Sequence, residues 1–173
     1  REILSPFVKR AYRRPATEDE LDRLTGLVEY AMVQEATFEK SMQVAIQAVL
    51  TSPHFLFRWE LDPTDKQGDD TRALNDFELA SRLSYFLWSS MPDDELSMAA
   101  ESGKLETTDG LTTQINRMLR DDKANDFVEH FTDTWLRINT LGSMPPDPKA
   151  FKSYYRDRLE KLFKRETRLF FDD

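Results

Sequence analysis

Two histidines are the side chains of this sequence best suited to acid–base or ligand chemistry: His54, in SPHFLFRWE, and His130, in FVEHFTDTW. Each is flanked by aromatics, a setting that suits a packed ring with one hydrogen bond better than a base or a ligand. Di-metal sites in helical bundles set a Glu three residues before a His on two helices. Thr51 and Phe127 hold those places here, and HExxH is absent. The chain also lacks a GxSxG elbow and a glycine-rich phosphate loop. It has no Cys, hence no disulfide, thiolate metal site or CxxCH haem attachment. Paired carboxylates for glycoside hydrolysis stay open, because their separation is spatial, but among 32 acids no pair stands out.

The stretch SYFLWSSMPDDEL, residues 84–96, offers two further readings. Asp93, Asp94 and Glu95 follow Pro92 and fall in the first turn of a helix, with Ser90 as its cap. There the dipole and unpaired N–H groups stabilise anions by roughly 0.3–1 kcal/mol each. Neighbouring helical positions point apart, so these acids do not converge on a metal. Upstream, Tyr85, Phe86, Leu87 and Trp88 sweep most of a helix circumference at about 100° per residue. Such a helix is either central to a core or shows aromatics to a partner, another domain or a sugar ring. Trp59, Tyr85, Trp88 and Trp135 are the candidate interaction residues; His54, His130 and Asp93 are those to watch for chemistry. Neither a cofactor nor a metal is expected.

Positioning these residues falls to helices. Only 5 Gly and 8 Pro punctuate 173 residues, and the 12 Phe, 5 Tyr and 3 Trp can build a sizeable core. A first helix spans residues 3–14, ended by Pro15. Thr17 and Glu20 form a capping box for a second, to about Gln34. A third, about residues 37–51, carries the stripe Phe38, Met42, Ala45, Ile46, Val49 and Leu50. Ser52 and Pro53 restart a short helical turn. Residues 61–73 read as a linker; its calcium-loop look fails, since Gly68 at the sixth place puts Pro63 first and Leu74 twelfth.

Asn75 and Glu78 open a fourth helix with Leu79, Leu83, Phe86 and Leu87 as its stripe. A fifth ends at Gly103, and a sixth carries Leu111, Ile115, Met118 and Leu119. A seventh, from Phe127 through Ile138, stops near Gly142, and one long last helix holds Tyr155, Leu159, Leu162 and Leu169. KRETRLFF, residues 164–171, reads as a solvated face. With no strand signal, the expected fold is all-α: a helical hairpin region (1–60), a linker (61–73) and a helical bundle (74–173), about eight helices and no sheet.

The net charge of −8 disfavours broad nucleic-acid binding. VKRAYRRP, residues 8–15, places cations at a helix C-terminus, where the dipole favours them. No run approaches the roughly 18 apolar residues of a membrane span, so no membrane insertion is expected. With neither an initial Met nor a capping glycine at its end, the chain reads as a piece of something longer.

FVKRAYRRPATEDELDRL, AIQAVLTSPHFLFRWE, LNDFELASRLSYFLWSSMPDDEL and RETRLFF together resemble a family of large proteins of unknown function from planctomycetes and related bacteria. In that family a cytochrome-c-like segment, and sometimes a carbohydrate-binding-like module, accompanies uncharacterised helical domains. The resemblance implies export and a haem motif outside this chain, and carries over no catalytic residue. The expected function is a non-catalytic helical module that docks other domains of the same polypeptide. The alternative is part of a polysaccharide-active or redox enzyme. Polysaccharide is a further candidate partner.

Overall fold

A computed structural model describes residues 1–60 and 72–172. The described residues form ten α-helices, eight of them of seven residues or more, and no strand. In order these are α1 (Leu4–Tyr12), α2 (Glu18–Val33), α3 (Phe38–Leu50), α4 (Pro53–Leu56), α5 (Asp76–Trp88), α6 (Asp94–Glu101), α7 (Thr108–Leu119), α8 (Asn125–Trp135), α9 (Lys152–Arg156) and α10 (Leu159–Asp172). The proposed linker and its calcium-loop register fall largely on residues 61–71, outside the described residues. The chain divides into two compact units, Arg1–Ser84 with Met91–Thr112, and Tyr85–Ser90 with Thr113–Asp173.

In the first unit, Leu4, Val8, Ala11 and Tyr12 of α1 pack with Leu21, Leu24 and Val28 of α2 and Ala45 and Val49 of α3. Fully burying a Val or Leu side chain is worth about 1.5–3 kcal/mol, so this cluster outweighs the polar contacts around it. The inward line of α3 is Ser41, Ala45 and Val49; of the expected stripe, Ala45 and Val49 are buried, Met42 and Ile46 half-buried, and only the end residues Phe38 and Leu50 exposed. Small residues at 41 and 45 let the α3 backbone come close to its neighbours, and Ser41 Oγ is satisfied by Thr37 O at 3.0 Å. α1 stops at Tyr12, earlier than expected, because Arg13 turns left-handed (φ 59°) before Pro15 is reached.

α6 starts differently from the expectation. Ser90 does not cap it; Asp93 does, its Oδ1 accepting from Leu96 N at 2.9 Å. A carboxylate nearer the open N–H groups displaces the more distant hydroxyl. Gly103 takes a left-handed φ of 68° directly after α6, the conformation that favours glycine there.

In the second unit, α8 ends at Trp135, and Ile138 lies in a 3-10 turn, Ile138–Thr140, entered through Arg137 at φ 54°. The long last helix is two: Arg158, at φ 52°, separates α9 from α10. Gly142 (φ 96°) lies so close to the Glu160 carboxylate that a β-carbon would meet it at 2.4 Å. The Glu160 side chain could move aside, but the positive φ favours glycine here in any case.

Candidate functional site

The polar residues of the first unit converge on a lock around Glu20. This residue, 7% exposed, opens α2. Its Oε2 accepts from Thr17 N at 2.9 Å while Thr17 Oγ1 accepts from Glu20 N at 3.2 Å, a complete capping box. The Arg14 guanidinium closes on both carboxylate oxygens, at 2.9 and 2.7 Å. His54 adds Nε2 at 3.7 Å from Oε1. The Arg14 fork, offset in part by burial and helped by the Thr17 N–H, holds the Glu20 carboxyl at about 2. The same pairing raises Arg14.

The device recurs. Arg72 closes on Glu78 at 2.7 and 2.9 Å, while Asn75 and Glu78 exchange two 2.9 Å backbone–side-chain hydrogen bonds at the start of α5. Here too the arginine holds the carboxyl below its ordinary range. Both locks follow one spacing, Arg–x–x–Thr/Asn–x–x–Glu. The sequence reading found the caps and missed the arginines; an Arg three residues before each cap was the available signal.

His54 is half-buried, its ring 5.3 Å from that of Tyr12 and 5.8 Å from that of Trp59. Its backbone is fixed from below. Arg13 Nη2 donates to His54 O at 2.8 Å and Phe57 O at 2.9 Å, and Nη1 to Phe55 O at 3.3 Å. One guanidinium thus caps the carbonyls at the end of α4. Glu20 is already engaged by three stronger donors, so its carboxylate locks α1 to α2 and is not free to act as partner to a catalytic imidazole.

His130 is exposed on α8, and Asp93 serves as a helix cap. No group of three or more His, Asp or Glu side chains able to hold a metal occurs among the described residues. Asp76, at the first position of α5, is buried with both carboxylate oxygens lacking a hydrogen-bond partner. The helix N-terminus behind it offsets part of that cost.

Of the aromatic candidates, Trp88 belongs to the core and is corrected here: it is 1% exposed, and its indole donates to Met118 O at 2.9 Å. Lys123 Nζ and the Arg117 guanidinium lie 4.6 and 5.3 Å from the ring centre. Tyr85 is half-buried. Trp59 remains 49% exposed, stacked on Phe57 with centroids 6.2 Å apart. Trp135, 62% exposed, ends a ladder along α8. Phe86 meets Phe127 at 4.9 Å, Phe127 meets Phe131 at 5.5 Å, and Phe131 meets Trp135 at 5.2 Å. Phe171 of α10 meets both Phe131 and Trp135 edge-on. Phe127, Phe131 and Trp135 repeat every four residues, which brings them onto one helix face.

α10 turns a second apolar surface outward. Leu162, Phe163, Leu169 and Phe170 recur at helical spacing and are 44–78% exposed. Its opposite side holds α8, Arg168 Nη2 reaching Asp133 at 2.9 Å and Glu129 at 2.8 Å.

An all-helical protein with arginine–glutamate locks at its helix starts and an exposed aromatic ladder is the class these observations define. Residues 74–173 match the model of PSD4, Protein of unknown function (DUF1592), and residues 1–60 that of PSD5, Protein of unknown function (DUF1595). The first match covers more than half of the chain, which belongs to that family. No curated protein and no solved structure gives a match.

Proposed function

We propose that this chain is a non-catalytic helical interaction module of a larger, exported polypeptide, one that also carries a cytochrome-c-like segment in planctomycete-type proteins. It docks another domain of that polypeptide through the aromatic ladder of α8 and the outer face of α10. The observation that carries this reading is the exposure of Leu162, Phe163, Leu169, Phe170 and Trp135 in one unit. Contiguous apolar patches of this kind on a folded protein mark interaction surfaces.

Charge narrows the occupant. Glu166, exposed, sits in the middle of the α10 apolar stripe. A second copy laid antiparallel and centred on that stripe would set Glu166 against the Glu166 of the other copy, burying two like charges without a counter-charge, which is strongly unfavourable. The fitting partner is an apolar surface of a neighbouring domain that offers one Lys or Arg opposite Glu166. With Trp59 and His54, the first unit leaves the polysaccharide-active reading an aromatic platform, but Glu20, the carboxylate beside His54, is already engaged by Arg14 and Thr17.

The test is co-elution of the 173-residue chain with separately expressed domains of its polypeptide. The proposal expects a complex that the pair Trp135→Ala, Phe170→Ser abolishes. Absence of any complex, or turnover of a polysaccharide that His54→Ala removes without unfolding the chain, would overturn it.

A further inference from the structure

Four cations line one groove of the second unit. Lys161, Lys164, Arg165, Arg168 and Leu169 of α10, with Asn125, Val128 and Glu129 of α8, line an open cavity of about 420 Å³. The cations' spacing, i, i+3, i+4 and i+7, places all four on one helix face, opposite the apolar stripe. In a chain with 24 bases against 32 acids, a lining of four cations to one acid is a local reversal of charge.

The helix dipole does not account for it. Lys9 and Arg10 lie in the last turn of α1, where the C-terminal carbonyls stabilise them. Lys161 lies in the first turn of α10, where the dipole disfavours a cation, and the other three sit mid-helix, where the effect has faded. Like charges three and four residues apart also repel. Two are compensated: Lys164 pairs with Glu160 at 2.7 Å, and Arg168 with Glu129 and Asp133. Lys161 and Arg165 are exposed and make no ion pair among the described residues. Arg168 Nε is buried without an acceptor. Its carboxylate partners engage Nη2 alone, leaving an orphan donor on a side chain already held in place.

From these observations we infer that the α8–α10 groove binds an anion carrying phosphate or sulfate groups. Lys161 and Arg165 supply the uncompensated charge, and the Asn125 amide and Arg168 supply oriented donors. Guanidinium forks and ammonium groups together match tetrahedral oxyanions well. The cavity exceeds a single ion, so the natural ligand is a small organic phosphate or sulfate ester. The site meets the proposed docking face at Leu169, which lines its edge, while Lys161 and Arg165 lie on the other side of α10.

The experiment is calorimetric titration of the 173-residue chain at low ionic strength with inorganic pyrophosphate and, separately, with sodium sulfate. Saturable one-to-one binding at millimolar concentration is expected, weakening as salt rises. Pyrophosphate carries the greater charge and is expected to bind more tightly than sulfate at a site built on Lys161 and Arg165. The double variant Lys161→Gln, Arg165→Gln should lose at least about tenfold in affinity, having lost two of the charge contacts. Its far-ultraviolet circular dichroism should be unchanged, since both side chains are exposed and neither makes an ion pair among the described residues. No saturable binding of either anion, or equal binding by the double variant, would overturn the inference.

Discussion

At the scale of single residues, Glu20 is the group on which the first unit depends most for pH stability. Its carboxyl sits at about 2 when folded, against an ordinary 4.5. A depressed carboxyl contributes its full stability above about 4.5 and loses it progressively as pH falls toward 2. Glu78, depressed by Arg72, acts in the same direction. Glu20→Gln should cost about 3 kcal/mol at neutral pH, the range for breaking one half of a mostly buried pair. It should also flatten the acid limb of stability between pH 4.5 and 2. Chemical denaturation of wild type and variant across that interval checks both; parallel limbs would contradict the lock. Thr17–Glu20 and Asn75–Glu78 were legible in the sequence because a capping box is local. The approach of His54 to Glu20 was not, since it joins residues 34 positions apart through α1, α2 and α4.

At the scale of elements, the sequence reading recovered the existence and order of the helices and erred at their ends and faces. The split between α9 and α10 falls in YYRDRLE, which contains neither Gly nor Pro. An arginine in the left-handed region gives no compositional warning. Faces went wrong where aromatics crowd. Periodicity places Tyr85, Phe86, Leu87 and Trp88 around one helix but does not say which side meets the core. Leu87 and Trp88 face inward and Phe86 outward. The two tryptophans expected to act alike therefore separate in their energetics. Trp88→Ala should cost about 3–5 kcal/mol, the range for a buried aromatic truncated with loss of its hydrogen bond. Trp135→Ala, on the exposed ladder, should change stability by less than about 1 kcal/mol. Thermal or denaturant unfolding of the two variants decides this; equal losses would mean that Trp135 belongs to the core.

At the scale of the whole molecule, the all-α class was readable from composition and periodicity alone, because few glycines and recurring caps leave little else to build. Why so much apolar surface stays open was not readable, because it depends on which way α10 faces. α10 spends its charged side on α8 and turns Leu162, Phe163, Leu169 and Phe170 outward. That orientation costs solvation unless another surface covers the stripe, and it is the reason a docking role is proposed over a catalytic one. The locks at Glu20 and Glu78 fit the same role, fixing helix starts rather than presenting free acids. The most direct measurement is hydrogen exchange of α8 and α10, in the 173-residue chain and in the larger polypeptide proposed to contain it. The account predicts slower exchange of residues 127–135 and 159–171 in that larger polypeptide, and little change at α2 and α3. Identical exchange of α8 and α10 in the two forms would contradict it.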